Sequence, residues 1–285
     1  MMGNSRIKVI GIGDNVVDDY VHIRTMFPGG NALNFSVYAS MLGCDSAYLG
    51  VFGSDDPAEH VQRTLAENGV DTSRCLCVDG PNGRAILTIE DGERVFISSN
   101  KGGIGKTVPM AFIFNDIDYL KSFSIVHTSA YSYMDRYLSQ LQELTPLVSY
   151  DFSNDFESDY ALSLCQNIDI GFFSCADWTE EAAMELLEKA VNGGCELAVA
   201  TRGPHEVILF DGQSWFRQAP RAEKPTDTLG AGDAFISAFL ITYLQGKGNP
   251  RVEQASLIEN ALGKAASFAA GICQLQGAFG YGLRY

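Results

Sequence analysis

Between residues 124 and 201, short apolar runs alternate with helical patterns, and this alternation restricts the fold more than any other feature of the chain. The runs occupy residues 124–127, 147–151, 168–173 and 197–201, and the clearest helix between them covers 179–191. Such alternation predicts βαβ units: a parallel sheet covered by helices and closed by right-handed crossovers. Residues 7–13 read as a further buried strand, with Asp14 and Asp18 just past its carboxyl end, where open α/β sheets bind ligands. A last, alanine-rich helix is expected over 252–270. No repeat, linker or low-complexity tract interrupts the 285 residues, so the expectation is one domain over 1–285 with a small lid at about 84–98.

The stretch Asp227-Thr228-Leu229-Gly230-Ala231-Gly232-Asp233 runs directly into the apolar sequence Ala234-Phe235-Ile236. Two glycines around one small residue make a turn without side-chain bulk, and a helix starting there aims N–H groups and its positive end at one spot. Such a spot suits a phosphate. Asp233 falls in the first helical turn, where a carboxylate can take the proton of a hydroxyl attacking phosphorus. An Asp there is equally a helix N-cap. Nearer the N-terminus, Gly29-Gly30-Asn31-Ala32-Leu33-Asn34 opens a helix that runs to about Leu42. The glycines let a substrate press against backbone, and Asn31 and Asn34 share a helix face, although Asn34 also suits capping of the first turn. Asp18 either grips sugar hydroxyls with its paired oxygens or caps amides of its own loop.

D-T-x-G-A-G-D resembles the C-terminal signature of the ribokinase-like (PfkB) carbohydrate kinases, and G-G-x-x-x-N resembles the start of their N-terminal signature. The resemblance implies a ribokinase-like three-layer α/β/α fold with a mostly parallel sheet and a small β-hairpin lid. It implies that Asp233 is the catalytic base and that the amides of Gly230, Ala231 and Gly232 hold the transferring phosphoryl group. Asp18, Gly29, Gly30, Asn31 and Asn34, with Arg84 at the start of the lid, form the implied sugar site. Thr201-Arg202-Gly203 resembles the start of the family's nucleotide loop, T-x-G-x-x-G, with Glu206 standing at its second glycine. Arg202 either neutralises ATP phosphates or is a surface loop residue. Thr228 and Asn260 complete the implied nucleotide contacts. ATP and Mg²⁺ are the implied cofactors, and a monovalent cation such as K⁺ is left open. Glu181 would serve the magnesium through its water shell, or is simply a solvated acid in a first helical turn; the family's N-x-x-E motif has Trp178 in place of its Asn here.

Two β-rich runs, 86–90 and 94–98, flank Asp91-Gly92, which is a hairpin signal. Only ten residues separate Asp18 from Gly29, too few for a long β-excursion, so the lid is expected in the 84–98 hairpin. In the family such strands often pair two subunits, which implies a homodimer. The segment 101–107 ends in Gly-Lys-Thr like a phosphate loop, but the glycine needed five residues before Gly105 is Asn100. A Gly-rich loop, adaptable around substrate, is the better reading. Gly11-Ile12-Gly13 likewise begins a dinucleotide fingerprint whose third glycine is missing.

A formal charge of −15, from 35 acidic and 20 basic residues, argues against nucleic-acid backbones and anionic membranes as partners. Phosphate must then be held by amides, metal and a few local cations. Seven scattered cysteines without a C-x-x-C pair read as reduced thiols, and no apolar run approaches the ~20 residues of a membrane helix, so a cytoplasmic protein is expected. Within the family, residues 13–18, 29–34, 94–96, 125–127 and 215–220 are similar to the branch that phosphorylates fructosamines. That similarity implies a small-molecule partner, the C6 hydroxyl of fructoselysine or a related fructosamine. The alternatives are a kinase for another ketose or for a nucleoside, with Tyr131 and Tyr133 lining a base pocket, and a non-catalytic sugar-binding protein of the same fold.

Overall fold

The computed structural model describes residues 6–90, 93–221 and 224–285, so the expected Asp91-Gly92 turn lies outside the described residues. The strands, in chain order, are β1 (Lys8–Gly13), β2 (Val16–Tyr20), β3 (Thr25–Gly29), β4 (Asp45–Phe52), β5 (Leu76–Cys77), β6 (Arg84–Glu90), β7 (Glu93–Ser99), β8 (Ile125–Ser129), β9 (Val148–Asp151), β10 (Ile170–Ser174), β11 (Leu197–Thr201), β12 (Val207–Phe210), β13 (Trp215–Gln218) and β14 (Leu283–Arg284). The helices are α1 (Asn31–Met41), α2 (Asp56–Glu67), α3 (Ile117–Lys121), α4 (Leu138–Leu144), α5 (Ser158–Leu164), α6 (Glu180–Asn192), α7 (Ala231–Gly246) and α8 (Gln254–Ile272).

Among the described residues the main sheet has the order β13-β12-β11-β10-β9-β8-β1-β4-β5. It is parallel from β11 to β5, and β12 and β13 add an antiparallel edge. From β1 the chain builds outward to β4 and β5, then returns to β8 on β1's other side and builds the opposite way. The switch point therefore falls between β1 and β8, where a crevice opens at the carboxyl ends of the strands.

Strand residues alternate between two cores, as a sheet covered on both faces requires. Ile10, Ile12, Val126, Phe173, Ala198 and Ala200 pack under α3 to α6. Val9, Ile125, Phe172, Leu197 and Val199 pack under α1, α7 and α8. The parallel sheet flanked by helices is the expected three-layer architecture.

The lid is larger than expected. β2 and β3 form their own antiparallel hairpin, β6 joins β2 in parallel, and β7 and β14 lie at the edges, giving a second sheet of order β14-β3-β2-β6-β7. The ten residues after Asp18 are too few for a long excursion but enough for a hairpin, because Val21 to Arg24 turn the chain in four residues, with Arg24 at φ 50°.

His127 on β8 is fully buried, with Nδ1 2.6 Å from Ser149 Oγ and its ring 4.7 Å from that of Phe35. Burial holds its pKa down at about 3. The unfolded chain protonates this histidine near pH 6.5 and the fold does not, so stability falls as pH drops from there towards 3, by about 1.4 kcal/mol per unit on the full slope. His127→Gln is expected to flatten that acid slope even if it lowers stability at neutral pH. Urea midpoints at pH 7 and pH 4.5 read this directly, and parallel slopes in the two proteins would assign the acid lability elsewhere.

Candidate active site

Two helix N-termini meet in the crevice. Gly30 and Gly230 occupy the N-cap positions of α1 and α7, and neither helix has a side-chain cap bond from its own cap residue. At α1 the vacancy is filled from β1. Asp14, one residue past the strand, accepts from the Asn31 amide at 2.7 Å and the Ala32 amide at 3.2 Å, while Ser132 Oγ donates to it at 2.7 Å. At α7 the turn is made by Gly230 at φ 73°, a left-handed conformation that favours glycine.

The Ala231 amide is taken by Thr228 O at 3.2 Å and the Ala234 amide by Gly230 O at 2.8 Å. The Gly232 and Asp233 amides have no acceptor among the described residues, and a side chain at Gly232 would meet nothing within 4 Å. Of the Gly230, Ala231 and Gly232 amides expected from the signature, only that of Ala231 has an acceptor within the described residues. Gly230 shapes the turn, and Ala231 spends its amide inside it.

Asn31 and Asn34 do share a helix face, and each holds an acid. Asn31 Nδ2 donates to Asp151 Oδ2 at 2.8 Å, and Asn34 Nδ2 donates to Asp233 Oδ2 at 2.7 Å. The Asn34 carbonyl oxygen is buried with no partner, an acceptor left for a donor from outside the chain. Asp18 comes in from the second sheet, buried, and its carboxylate lies so close over Gly29 that a Cβ there would be 2.3 Å from an oxygen. Four carboxyls thus share one crevice. Burial, with Asp151 and then Asp14 and Asp18 nearby, pushes Asp233 up to about 8, against the opposing effect of the Asn34 hydrogen bond. Burial likewise lifts Asp151 to about 6. Sequence reasoning assigned no role to Asp14 or Asp151; the available signal was an acid at the carboxyl end of a parallel strand.

Other expected site residues lie elsewhere. Arg84 is engaged by Asp19, with its Nε 3.1 Å from Asp19 Oδ2, and Tyr285 OH holds the other oxygen at 2.7 Å. Arg84 faces Val17 in the parallel register of β2 and β6, so it shares the Asp19 face of the sheet and not the Asp18 face. The place expected for it in the sugar site is corrected on that ground. Arg202, at the end of β11, is no surface residue: it is buried, with Nη1 3.5 Å from Glu180 Oε2. Glu180 also takes Arg217 at 2.5 Å, and Arg217 reaches Glu206 at 3.9 Å. Glu181 is exposed in the first turn of α6, and Asn260 is exposed on α8. Thr201 is half-buried, and Gly203, exposed at φ 58°, turns the chain after β11. Thr228 is exposed in the turn before α7. Trp178 stacks on Phe156 with ring centroids 5.6 Å apart.

Among the described residues no three His, Cys, Asp or Glu side chains cluster to hold a metal ion. That fits magnesium carried on nucleotide phosphates with most of its water, and an acid-rich crevice whose carboxyls are pushed up is short of positive charge. The open α7 terminus fits a phosphate.

A carboxyl beside an open helix terminus, at the switch point of a parallel sheet, suits phosphoryl transfer to an alcohol. Residues 2–278 match the model of the pfkB family carbohydrate kinase, and the chain belongs to that family. It is 40% identical over 280 residues to the fructosamine kinase FrlD of Bacillus subtilis (strain 168), covering 98% of this chain and 95% of that one. It is 32% identical over 243 residues to the fructoselysine 6-kinase of Shigella flexneri, covering 84% and 90%. A putative Ribokinase II from E. coli, solved in complex with ATP and Mg²⁺, shares the fold with a TM-score of 0.75 at 19% identity, over 96% of this chain and 94% of that one.

The raised Asp233 carboxyl makes the ligand-free fold less stable as pH rises. The unfolded carboxyl ionises near pH 4 and the folded one only near 8, so the folded state holds a proton across that window. Asp233→Asn removes this effect. The stability of the variant relative to the native protein is expected to increase from pH 4 to pH 8, measured by denaturant midpoints without nucleotide; a constant difference would show that Asp233 ionises normally.

Proposed function

We propose that this sugar kinase transfers the γ-phosphoryl group of ATP to the C6 hydroxyl of a fructosamine, fructoselysine or a close relative of it. The observation that carries the reaction is the Asp233 carboxyl beside the open Gly232 and Asp233 amides. Asp18 and the buried Asn34 carbonyl oxygen take sugar hydroxyls, with Gly29 and Gly30 letting the ring lie close to backbone. The acceptor hydroxyl gives its proton to Asp233 as its oxygen bonds to the γ-phosphorus, and the bond from that phosphorus to the bridging oxygen of ADP breaks. The α7 amides hold the transferring group, and bound magnesium supplies neutralisation of the ATP phosphates. The buried Arg202 and the turn at Gly203 stand at the nucleotide end, where β11 closes the parallel part of the sheet. The substrate is supported by the two relatives named for fructosamines.

A cytoplasmic location suits ATP as donor, and among the described residues no helix is long and apolar enough to cross a membrane. A homodimer belongs to the same reading. β7 is the outer strand of the second sheet, and its successive residues Phe96 and Ile97 are 61% and 56% exposed, so both faces of an edge strand are apolar. A second copy pairing along β7 would cover both. Phe96→Glu is expected to give a monomer by light scattering; a native protein that is already monomeric at micromolar concentration would remove the proposal.

The kinase reading is tested by ADP release with Mg²⁺ on fructoselysine, other fructosamines, fructose, ribose and nucleosides. Asp233→Asn is expected to lower kcat by about 10²–10⁴ while sugar affinity stays within a few-fold. Equal losses of rate and affinity would make Asp233 a structural cap. Asp18→Ala is expected to weaken sugar binding in calorimetry, and unchanged affinity would remove Asp18 from the sugar site.

A further inference from the structure

The Gly-rich segment that is not a phosphate loop walls a second compartment of the crevice. After β7 the chain turns at Lys101, a non-glycine residue at φ 54°, into the short helical turn Gly103–Thr107. Across from it, the turn that follows β8 carries Tyr131 and Tyr133, and between the two lies a narrow cleft, open to solvent, lined by Asp14, Asn15, Lys106 and Met110 as well as the two tyrosines. The walls are close: a Cβ on Gly102 would be 3.8 Å both from Lys106 Cβ and from the Tyr133 ring. Asp14 belongs to this cavity and also caps α1, whose next residues, Asn31 and Asn34, hold Asp151 and Asp233. The compartment and the reacting carboxyl therefore open on one crevice.

Four features of the compartment are unexplained by sugar phosphorylation alone. Tyr131 and Tyr133 are 47% and 51% exposed, an expensive placement for two rings unless something covers them. Tyr133 is held at φ 57°, and its hydroxyl donates to Lys101 O at 3.0 Å, which fixes the ring against the opposite wall. Asn15 is buried, and its amide nitrogen is committed to Tyr48 OH at 2.9 Å and Val51 O at 2.8 Å, so the partnerless atom is its carbonyl acceptor. Lys106 forms no ion pair among the described residues, in a chain with 35 acidic side chains against 20 basic ones.

Fructoselysine carries sugar hydroxyls, a secondary ammonium at C1, and beyond it a carbon chain that ends in an amino-acid group with its own ammonium and carboxylate. The crevice offers groups that match these in kind. Asp14 and the Asn15 acceptor, two tyrosine rings and a cation with no ion pair among the described residues all line this one cleft. Resting on the fructosamine reading above, we infer that this cavity holds the amino-acid portion of the substrate, with Tyr131 and Tyr133 flanking its carbon chain and Lys106 pairing with its carboxylate. The compartment would then separate fructosamines bearing a free carboxylate from fructose and from neutral glycated amines.

The test compares kcat/KM for fructoselysine with kcat/KM for its carboxamide, in the native protein, Lys106→Gln and Lys106→Arg. Lys106 is exposed, and its replacement leaves the core untouched. The native protein is expected to favour the carboxylate by about tenfold, the size of one charge-assisted contact. Lys106→Gln should bring the ratio to about one through KM with kcat retained, and Lys106→Arg should keep the preference. Turnover of both compounds with a ratio that Lys106→Gln leaves unmoved overturns this inference and spares the fructosamine reading. No turnover of either compound, with turnover of another sugar, overturns the fructosamine reading itself and this inference with it.

Discussion

The hydrogen bond from Asn34 to Asp233 joins two helices whose beginnings make the crevice, and the rest of the site is arranged around that join. α1 and α7 pack on one face of the sheet, and each starts at a glycine with no side-chain cap of its own. Their fates differ because of topology. β1 ends beside the start of α1 and delivers Asp14 to its free amides, which closes that positive terminus with a carboxylate. No strand delivers an acid to the start of α7, and Asp233, the one carboxyl in its first turn, is held towards Asn34. One terminus is neutralised from within the chain and the other is left for an anion from solution.

The second sheet is fastened to this arrangement at two levels, which follow from the alternation of side chains along β2. Asp18 and Tyr20 point to one side, and Tyr20 OH donates to Asp227 at 2.6 Å; Asp227 also takes the Leu229 amide at 3.0 Å and so shapes the turn that leads into α7. Asp19 points to the other side and collects Arg84 and Tyr285, which ties β2 to β6 and to the end of the chain described here. Any movement of β2 that displaces Asp18 therefore pulls on the anion turn as well. Asp18 and the turn before α7 are mechanically linked through one strand.

Features set by neighbours in sequence were legible before the structure. The apolar runs, the helix at 179–191 and the glycine turns are local, and they appear close to where the residues indicated. What could not be read depends on segments distant in the chain. Asp14 follows β1 and Asp151 ends β9, parallel strands on either side of β8 that only the sheet order brings to one crevice. The second sheet escaped because β2 pairs in parallel with β6, far along the chain, and a short hairpin flanked by acids has no strong apolar pattern. The role expected of Arg84 failed for a one-residue reason: its register places it opposite Val17, and a strand shows alternate residues to opposite faces. Nor could the sequence show that the Ala231 amide closes the turn onto Thr228, while those of Gly232 and Asp233 find no acceptor among the described residues.

The charge distribution leaves a chemical difficulty that the site resolves through its ligands. A kinase must bring a polyanionic nucleotide to a crevice that already holds Asp14, Asp18, Asp151 and Asp233, in a chain of net charge −15. The cations nearest the end of β11, Arg202 and Arg217, are shared with Glu180. Attraction therefore draws on the α7 amides, on cations such as Lys106 that have no ion pair among the described residues, and on positive charge that arrives with the ligands. Burial, together with the same deficit, pushes the Asp233 carboxyl up to about 8. Positive charge brought close to a carboxyl favours its ionised form. In the proposed reaction a divalent cation comes with ATP, and an ammonium comes with the fructosamine. On the proposed reading, both ligands therefore favour the ionised form in which Asp233 can accept a proton.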